Sequence, residues 1–290
     1  MAALGIDIGG SSIKLALASG DQTFTAQSPR YARPSAAQLQ SALQAALTSL
    51  GPGASSPVSI GLCAPGVIDP VTLRVAASIN LPGLVGASLR ELVFAALGRE
   101  LGRLHACSDA HAAAHDFWSA SAPRPAGRLM AISLGTGVGA CVLDDGLPLR
   151  VTGASSGHLG QIDVSLAEPG HVPPIGPDGG AGSLEGYIGL PALLARYGDD
   201  PMGVLTRLGA SELPIRALVR VLRIGHAFYR PDHIVLLGGV GVRLAPLLAT
   251  IRTGVETHLT SLARPGWTLQ CGTSDFHAAL GAARLGAEAR

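Results

Sequence analysis

Asp7 is the first residue whose type and surroundings suit chemistry. It stands in the alternation Leu4, Ile6, Ile8, just ahead of the small-residue turn Gly9-Gly10-Ser11-Ser12. Small residues let successive backbone N–H groups close around a phosphate. A carboxylate beside that phosphate can hold Mg2+, directly or through water. An ordinary glycine hairpin has the same composition. The turn is not a P-loop, because GxxxxGK[ST] is absent. It is not a dinucleotide fingerprint either, because a second strand and not a helix follows the glycines.

Gly135-Thr136-Gly137-Val138-Gly139 repeats the arrangement and carries the same two readings. As a pair, two glycine hairpins can grip one polyphosphate from both sides. Gly238-Gly239-Val240-Gly241 follows an apolar strand and precedes a helix. Glycines there leave room for a flat adenine beside a helix N-terminus. Asp109 lies where the strand Leu104–Cys107 gives way to an alanine-rich helix. A fixed carboxylate at a strand end can take the proton of an attacking hydroxyl. Ser108 or Asp109 is equally placed to cap that helix. His111 and His115 are four apart on it, with no third metal ligand evident, and read as polar residues on one exposed helix face.

The elements that position these residues follow from periodicity. Leu4, Ile6, Ile8 and then Ile13, Leu15, Leu17 form a hairpin about the first glycine turn. Met130, Ile132, Leu134 and Val138, Ala140, Val142 form another about the second. Gly20-Asp21 ends the first hairpin and Asp145-Gly146 the second. Gly9 and Gly135 lie 126 residues apart, which implies a duplicated unit and two α/β halves. Ser35 caps a helix with the stripe Leu39, Leu43, Leu47, Leu50, ended by the Gly51–Pro57 stretch, and Val58–Leu62 is a strand turning at Ala64-Pro65-Gly66. Ser88-Leu-Arg-Glu91 is a capping box opening a helix through Leu92, Ala96 and Leu101. Residues 150–182 read as glycine- and proline-rich loop. Helices are expected over 183–197, over 212–229 and, unbroken, from Gly241 to about Leu262. A last strand spans Trp267–Cys271, and a final helix starts near Asp275. The stretch 119–127 (SASAPRPAG) marks a boundary. The expected domains are residues 1–118, completed by 276–290, and residues 119–275.

Composition narrows the function classes. With 21 Lys+Arg against 20 Asp+Glu the chain has no broad basic surface, which argues against a dedicated nucleic-acid binder. Charged residues make up 14% and hydrophobic residues 47%, enough to bury a sizeable core. The uncharged run Leu129–Leu143 is 15 residues long and contains three glycines, whereas a membrane-spanning helix needs about 20 apolar residues. The start, MAALGID, shows no secretory signal. Cys63, Cys107, Cys141 and Cys271 are widely spaced, as in reduced thiols of a cytoplasmic protein.

Six motifs occur in one family's order: Leu4-Gly-Ile-Asp-Ile-Gly-Gly-Ser-Ser-Ile-Lys14, Ala64-Pro65-Gly66-Val67-Ile68-Asp69, Asn80-Leu81-Pro82-Gly83, Ser108-Asp109-Ala110, Leu134-Gly135-Thr136-Gly137-Val138-Gly139 and Leu237-Gly238-Gly239-Val240. With them the chain resembles the ROK family of sugar kinases, of the actin/hexokinase/Hsp70 fold. The resemblance implies two actin-like ATPase (ribonuclease H-like) α/β domains with a cleft between them. It implies ATP and Mg2+ at Asp7, Gly9, Gly10, Ser11, Ser12, Lys14, Gly135, Thr136, Gly137, Gly238 and Gly239. Asp109 matches the catalytic base, and capping then falls to Ser108, where the family usually has a sugar-binding Asn. Asn80 and Gly66 match sugar contacts; taken alone, Asn80 also suits an Asx-turn before Pro82, and Gly66 an ordinary turn.

The largest departure is at 157–161. The family's Gly-Glu-x-Gly-His reads Gly157-His158-Leu159-Gly160-Gln161 here. His158 and Gln161 therefore stand at sugar-binding positions, and His158 also reads as a solvated loop imidazole. The family's structural zinc takes one His and three Cys; the matching positions hold Gln161, Gly176, Asp178 and Ser183, so no zinc is expected. Glu185, which ends that motif, is kept and implies a sugar role. The reading is an ATP-dependent hexose kinase, cytoplasmic and homodimeric, that binds a monosaccharide and neither nucleic acid nor membrane. The alternative is a sugar-sensing regulator with little kinase activity. Regulators of the family carry an N-terminal helix-turn-helix, for which a strand starting by about Leu4 leaves no room.

Overall fold

The computed structural model describes residues 2–51, 57–69, 71–98, 104–149, 157–165, 170–177 and 179–289. They form two compact units, one of Met1–Phe117 with Phe276–Arg290, the other within Trp118–Asp275.

The first unit opens with β1 (Ala2–Ile8), β2 (Ile13–Ser19) and β3 (Gln22–Gln27), followed by α1 (Ala36–Leu50). β4 (Ser59–Ala64), the small antiparallel pair β5 (Val67–Ile68) and β6 (Val75–Ala77), α2 (Leu89–Leu97), β7 (Leu104–Ser108) and α3 (Asp109–Ala120) complete its run. The sheet order is β3-β2-β1-β4-β7. β1 pairs antiparallel with β2, and Asp7 lies opposite Lys14; β1, β4 and β7 run parallel. Leu4, Ile6, Ile8, Leu15, Leu39, Leu43 and Leu62 form the core on one face.

The second unit repeats the order with β8 (Arg128–Leu134), β9 (Val138–Asp144), β10 (Leu147–Pro148), β11 (His233–Leu237) and β12 (Thr268–Cys271), arranged β10-β9-β8-β11-β12. Its helices are α4 (Leu184–Ile188), α5 (Leu190–Tyr197), α6 (Pro201–Leu205), α7 (Leu213–Tyr229), α8 (Gly238–Gly241) and α9 (Leu248–Thr257). Their apolar faces meet the sheet at Ile132, Leu134, Leu218, Leu222 and Leu236.

Several elements differ from the sequence reading. β3 was not expected: five of its six residues are exposed and only Ala26 is buried, so an edge strand shows no apolar alternation. β10, two residues long, is invisible for the same reason. The helix expected over 183–197 is broken at Gly189, where Pro191 in the first turn of α5 supplies no N–H to continue α4. The helix expected from Gly241 to Leu262 holds a 3-10 segment at Val242–Leu247 containing Pro246, and ends at Thr257. α2 stops at Leu97 because Gly98 turns left-handed at φ 67°; Leu101 lies outside the described residues. Ser35 closes a full capping box with Gln38, whereas at Ser88 only one arm forms, the side chain accepting from the Glu91 N–H.

α10 (His277–Glu288) packs against β1 and β4 of the first unit. The fit is backbone on backbone. A Cβ on Gly5 would overlap the carbonyl of Ala279, one on Gly61 that of Ala282, and one on Gly281 that of Ala112 in α3. Polar groups then fasten α10 to α3. The buried Asp116 accepts from Arg284 Nε at 2.8 Å and meets His277 Nδ1 at 2.6 Å. His115 is buried and faces Glu288 at 3.3 Å, so the exposed histidine face expected on α3 is corrected: α10 covers it.

Gly61→Ala forces α10 outward, and overpacking of this kind costs about 1–3 kcal/mol or more. Urea unfolding will show a lowered midpoint with Gly61→Ala. A midpoint equal to the parent's would refute the close contact.

Candidate active site

Parallel pairing brings the first unit's carboxylates to one sheet edge. Asp7 is in register with Cys63 of β4, and Cys63 with Cys107 of β7, so Asp7 and the β7–α3 junction both lie at the carboxyl ends of the strands. That edge is where open α/β sheets bind ligands. The Ser108 hydroxyl caps α3 by accepting the His111 N–H at 3.2 Å. Asp109, half-buried, accepts the N–H of Ala110 at 2.8 Å. Burial raises the Asp109 pKa, and its backbone hydrogen bonds oppose the rise.

Asp7 is buried, and its pKa is raised to about 7. Loss of water is the main cause, Lys14 opposes it, and Asp109 adds to it. The Cys63 thiol donates to Asp7 Oδ1 at 3.7 Å, and burial pushes that thiol well above its usual range. A buried carboxylate with a second one in Coulomb range is short of positive charge, so the pair suits a cation.

The Gly9–Ser12 turn is held from a distance. Gly9 N–H donates to Ser12 O at 3.0 Å, Tyr31 N–H to Ser11 O at 2.9 Å, and the Tyr31 hydroxyl to Gly9 O at 2.6 Å. Ser12 is buried, and its hydroxyl accepts from Gln27 Nε2 at 2.9 Å. Tyr31 and Gln27 lie in segments without apolar period, and nothing in their sequence setting points to this role. Lys14 sits 5.7 Å from the centre of the Phe276 ring.

Gly66 has φ +114°, and a Cβ there would overlap the carbonyl of Ala77, so the turn after β4 demands glycine. Ser78, missed in the sequence, ties this turn to Asn80: its hydroxyl donates to Pro65 O at 2.9 Å and accepts the Leu81 N–H at 3.2 Å. The Asx-turn considered for Asn80 does not form. The half-buried Asn80 amide makes no hydrogen bond among the described residues.

In the second unit, α4 and α5 clamp the turn after β8. Gly135 N–H donates to Gly137 O at 2.9 Å and accepts at its carbonyl from Leu190 N–H at 2.9 Å. Thr136 and Gly137 remain half-buried. Glu185, 9% exposed, accepts the Val138 N–H at 2.6 Å. This gives Glu185 a task inside its own unit that the sequence reading did not contain. Gly160 is equally tight, since a Cβ there would stand 2.6 Å from Val138 O. His158 and Gln161, beside it, are exposed. Gly238 has φ +77°, and a Cβ would overlap the Leu134 carbonyl, so it joins the ends of β8 and β11; Gly239 O accepts from Arg243 at 2.6 Å. At the zinc positions, Gly176 accepts the Gly179 N–H at 3.0 Å and Ser183 caps α4; Asp178 lies outside the described residues. Among the described residues no three His, Cys, Asp or Glu side chains gather as a metal site. No described helix is long and apolar enough to cross a membrane.

Two α/β units of one strand order, with paired glycine turns and carboxylates at strand ends, define an actin-like ATPase fold. The ROK family model matches residues 3–289, and the chain belongs to the ROK family. Among solved structures it is similar to a ROK family glucokinase from Streptomyces griseus in complex with glucose and AMPPNP (20% identity, TM-score 0.74, all of both chains). It is also similar to the inorganic polyphosphate/ATP-glucomannokinase of an Arthrobacter strain (20%, 0.67, 99% of this chain and 98% of that). A ROK family transcriptional regulator homologous to the E. coli MLC protein is 15% identical at TM-score 0.71, over 98% of this chain and 78% of its own. No curated protein sequence matches significantly.

Glu185→Ala strands the Val138 N–H in the interior, at about 1–3 kcal/mol. Glu185→Gln keeps an acceptor. Chemical denaturation will show the alanine variant destabilised by that amount and the glutamine variant by much less; equal stability of both with the parent would refute the clamp.

Proposed function

We propose that the chain is an ATP-dependent hexose kinase in which Asp109 is the general base. One observation carries the reading: Asp109, its pKa raised by burial, is fixed at the start of α3 on the same strand edge as Asp7. The Asp109 carboxylate takes the proton of a sugar hydroxyl as that oxygen attacks the γ-phosphorus. The new O–P bond forms as the bond from phosphorus to the β-γ bridging oxygen breaks, and ADP leaves. Asn80 and the Gly66 turn orient the sugar, with Ser108, His158, Gln161 and Glu185 as the remaining contacts. The backbone of Gly9–Ser12, with Lys14, and of Gly135–Gly137 receives the phosphates, and Gly238-Gly239 the adenine. Asp7 would hold Mg2+, which offsets phosphate charge when bound.

Likeness to glucose- and mannose-phosphorylating proteins supports a hexose acceptor, and the Arthrobacter relative makes polyphosphate a donor to be tested beside ATP. Free cysteines and near-neutral charge support a cytoplasmic protein that binds no nucleic acid. Assembly as a homodimer belongs to the same reading. The regulator likeness supports a second reading, a sugar sensor without transfer activity.

Asp109→Asn removes the proton acceptor and keeps the size. Sugar phosphorylation in a coupled assay should fall about 10²–10⁴-fold, with binding of an ATP analogue retained. In the parent, kcat/KM should fall as pH drops through the raised Asp109 pKa, above the ordinary aspartate range, because only the ionised form accepts the proton. Activity of Asp109→Asn within a few-fold of the parent refutes the base; binding of sugar with no transfer in the parent establishes the sensor.

Purified protein should carry less than one zinc per chain, and a zinc chelator should leave its melting temperature unchanged. Stoichiometric zinc measured by atomic emission would overturn the zinc-free loop.

A further inference from the structure

A groove of about 940 Å³ runs between α7 and α9 of the second unit, apart from every residue assigned above. Arg216, Arg220 and Arg223, spaced to share one face of α7, line it together with Arg230, which ends that helix in a left-handed turn. None of the residues lining the groove is acidic. Arg220 donates to Ser165 O at 2.7 Å and Arg223 to His258 O at 3.5 Å, both backbone carbonyls. Arg220 also acts on the exposed Asp163, which lies outside the groove. The guanidiniums of Arg220, Arg223 and Arg230, gathered at one groove in a chain with a net charge of +1, concentrate positive potential there.

A second observation lies at the groove wall. His226, 3% exposed, lines the groove, and its Nδ1 is buried without a hydrogen-bond partner; Arg223 Nε is in the same state. Burial and Arg230 both lower the His226 pKa, which leaves a neutral imidazole able to donate. Thr250 and Thr260 add hydroxyls.

Arginine forks match phosphate oxygens in pairs. The volume falls in the range of small-ligand sites, about 300–1,000 Å³. No Phe, Tyr or Trp lines the groove to stack bases, which disfavours single-stranded nucleic acid. A second copy of the same arginine face would meet it with like charge. We propose that this groove is a binding site for a small ligand bearing phosphate groups, distinct from the proposed phosphoryl-transfer site. The same chemistry is presented by short inorganic polyphosphate and by a phosphorylated sugar.

The test is calorimetric titration of the full chain with tripolyphosphate and, separately, with glucose 6-phosphate, at low and moderate salt. It reads binding and not catalysis, so it stands whether or not the kinase reading holds. Parent protein should bind at least one probe, more weakly at higher salt, and Arg220→Gln/Arg223→Gln should weaken that binding at least tenfold. Binding of tripolyphosphate alone marks the polyphosphate source, of glucose 6-phosphate the sugar-phosphate source. If the double variant does not fold, as judged by its thermal melt, Arg220→Gln alone, an exposed position, should still weaken binding several-fold. Equal binding by parent and variant, no binding of either probe to the parent at millimolar concentration, or tighter binding of an oligonucleotide than of either probe overturns the proposal. So does a change of oligomeric state in the variant by sedimentation.

Discussion

Backbone meets backbone where α10 crosses β1 and β4, and the first unit is organised around that contact. Gly5, Gly61 and Gly281 are glycines because the carbonyls of Ala279, Ala282 and Ala112 occupy the space of a side chain. The close approach sets the height of α10 over the sheet and the height of α3 beside α10. Asp116, joined to Arg284 and His277, then fixes the rotation of α3, the helix that begins with Asp109. A carboxylate's position is thus decided by three glycines and an ion pair about two turns away along α3.

The cost of this arrangement is electrostatic. Asp7 and Asp109 are brought toward each other in surroundings that hold little water, and Lys14 offsets only part of the resulting charge. Unfolded chain would leave both carboxylates hydrated and apart. Active sites commonly carry such local strain against the rest of the fold. Here the apolar sheet core beneath β1 and β4 supplies the counterweight.

What was legible in the sequence is what repeats with a short period. Leu4, Ile6, Ile8 and Met130, Ile132, Leu134 announce two hairpins, the glycine turns between their strands are explicit, and the ordered motifs lead to the family. Edge strands such as β3 were hidden because solvent, not a core, faces their side chains. Breaks at Pro191 and Pro246 were written in the sequence, but the strength of the surrounding apolar pattern outweighed them. Contacts between distant segments left no trace at all: the Tyr31 hydroxyl on Gly9, Ser78 bridging Pro65 and Leu81, Glu185 beneath Val138, and α10 over His115. Each is decided by tertiary packing, which periodicity does not encode.

The place of α10 in the chain also orders events in time. β1, β4 and α3 are synthesised within the first 120 residues, yet the helix that packs on all three begins only at His277. A ribosome moving at roughly 5–20 residues per second adds the intervening stretch over many seconds. The second unit, whose strands and helices lie between Trp118 and Asp275, is complete before that helix exists. The nascent first unit therefore waits with the α10-facing side of β1 and β4 bare. That face stays open to mispairing and to chaperones until His277–Glu288 has been made.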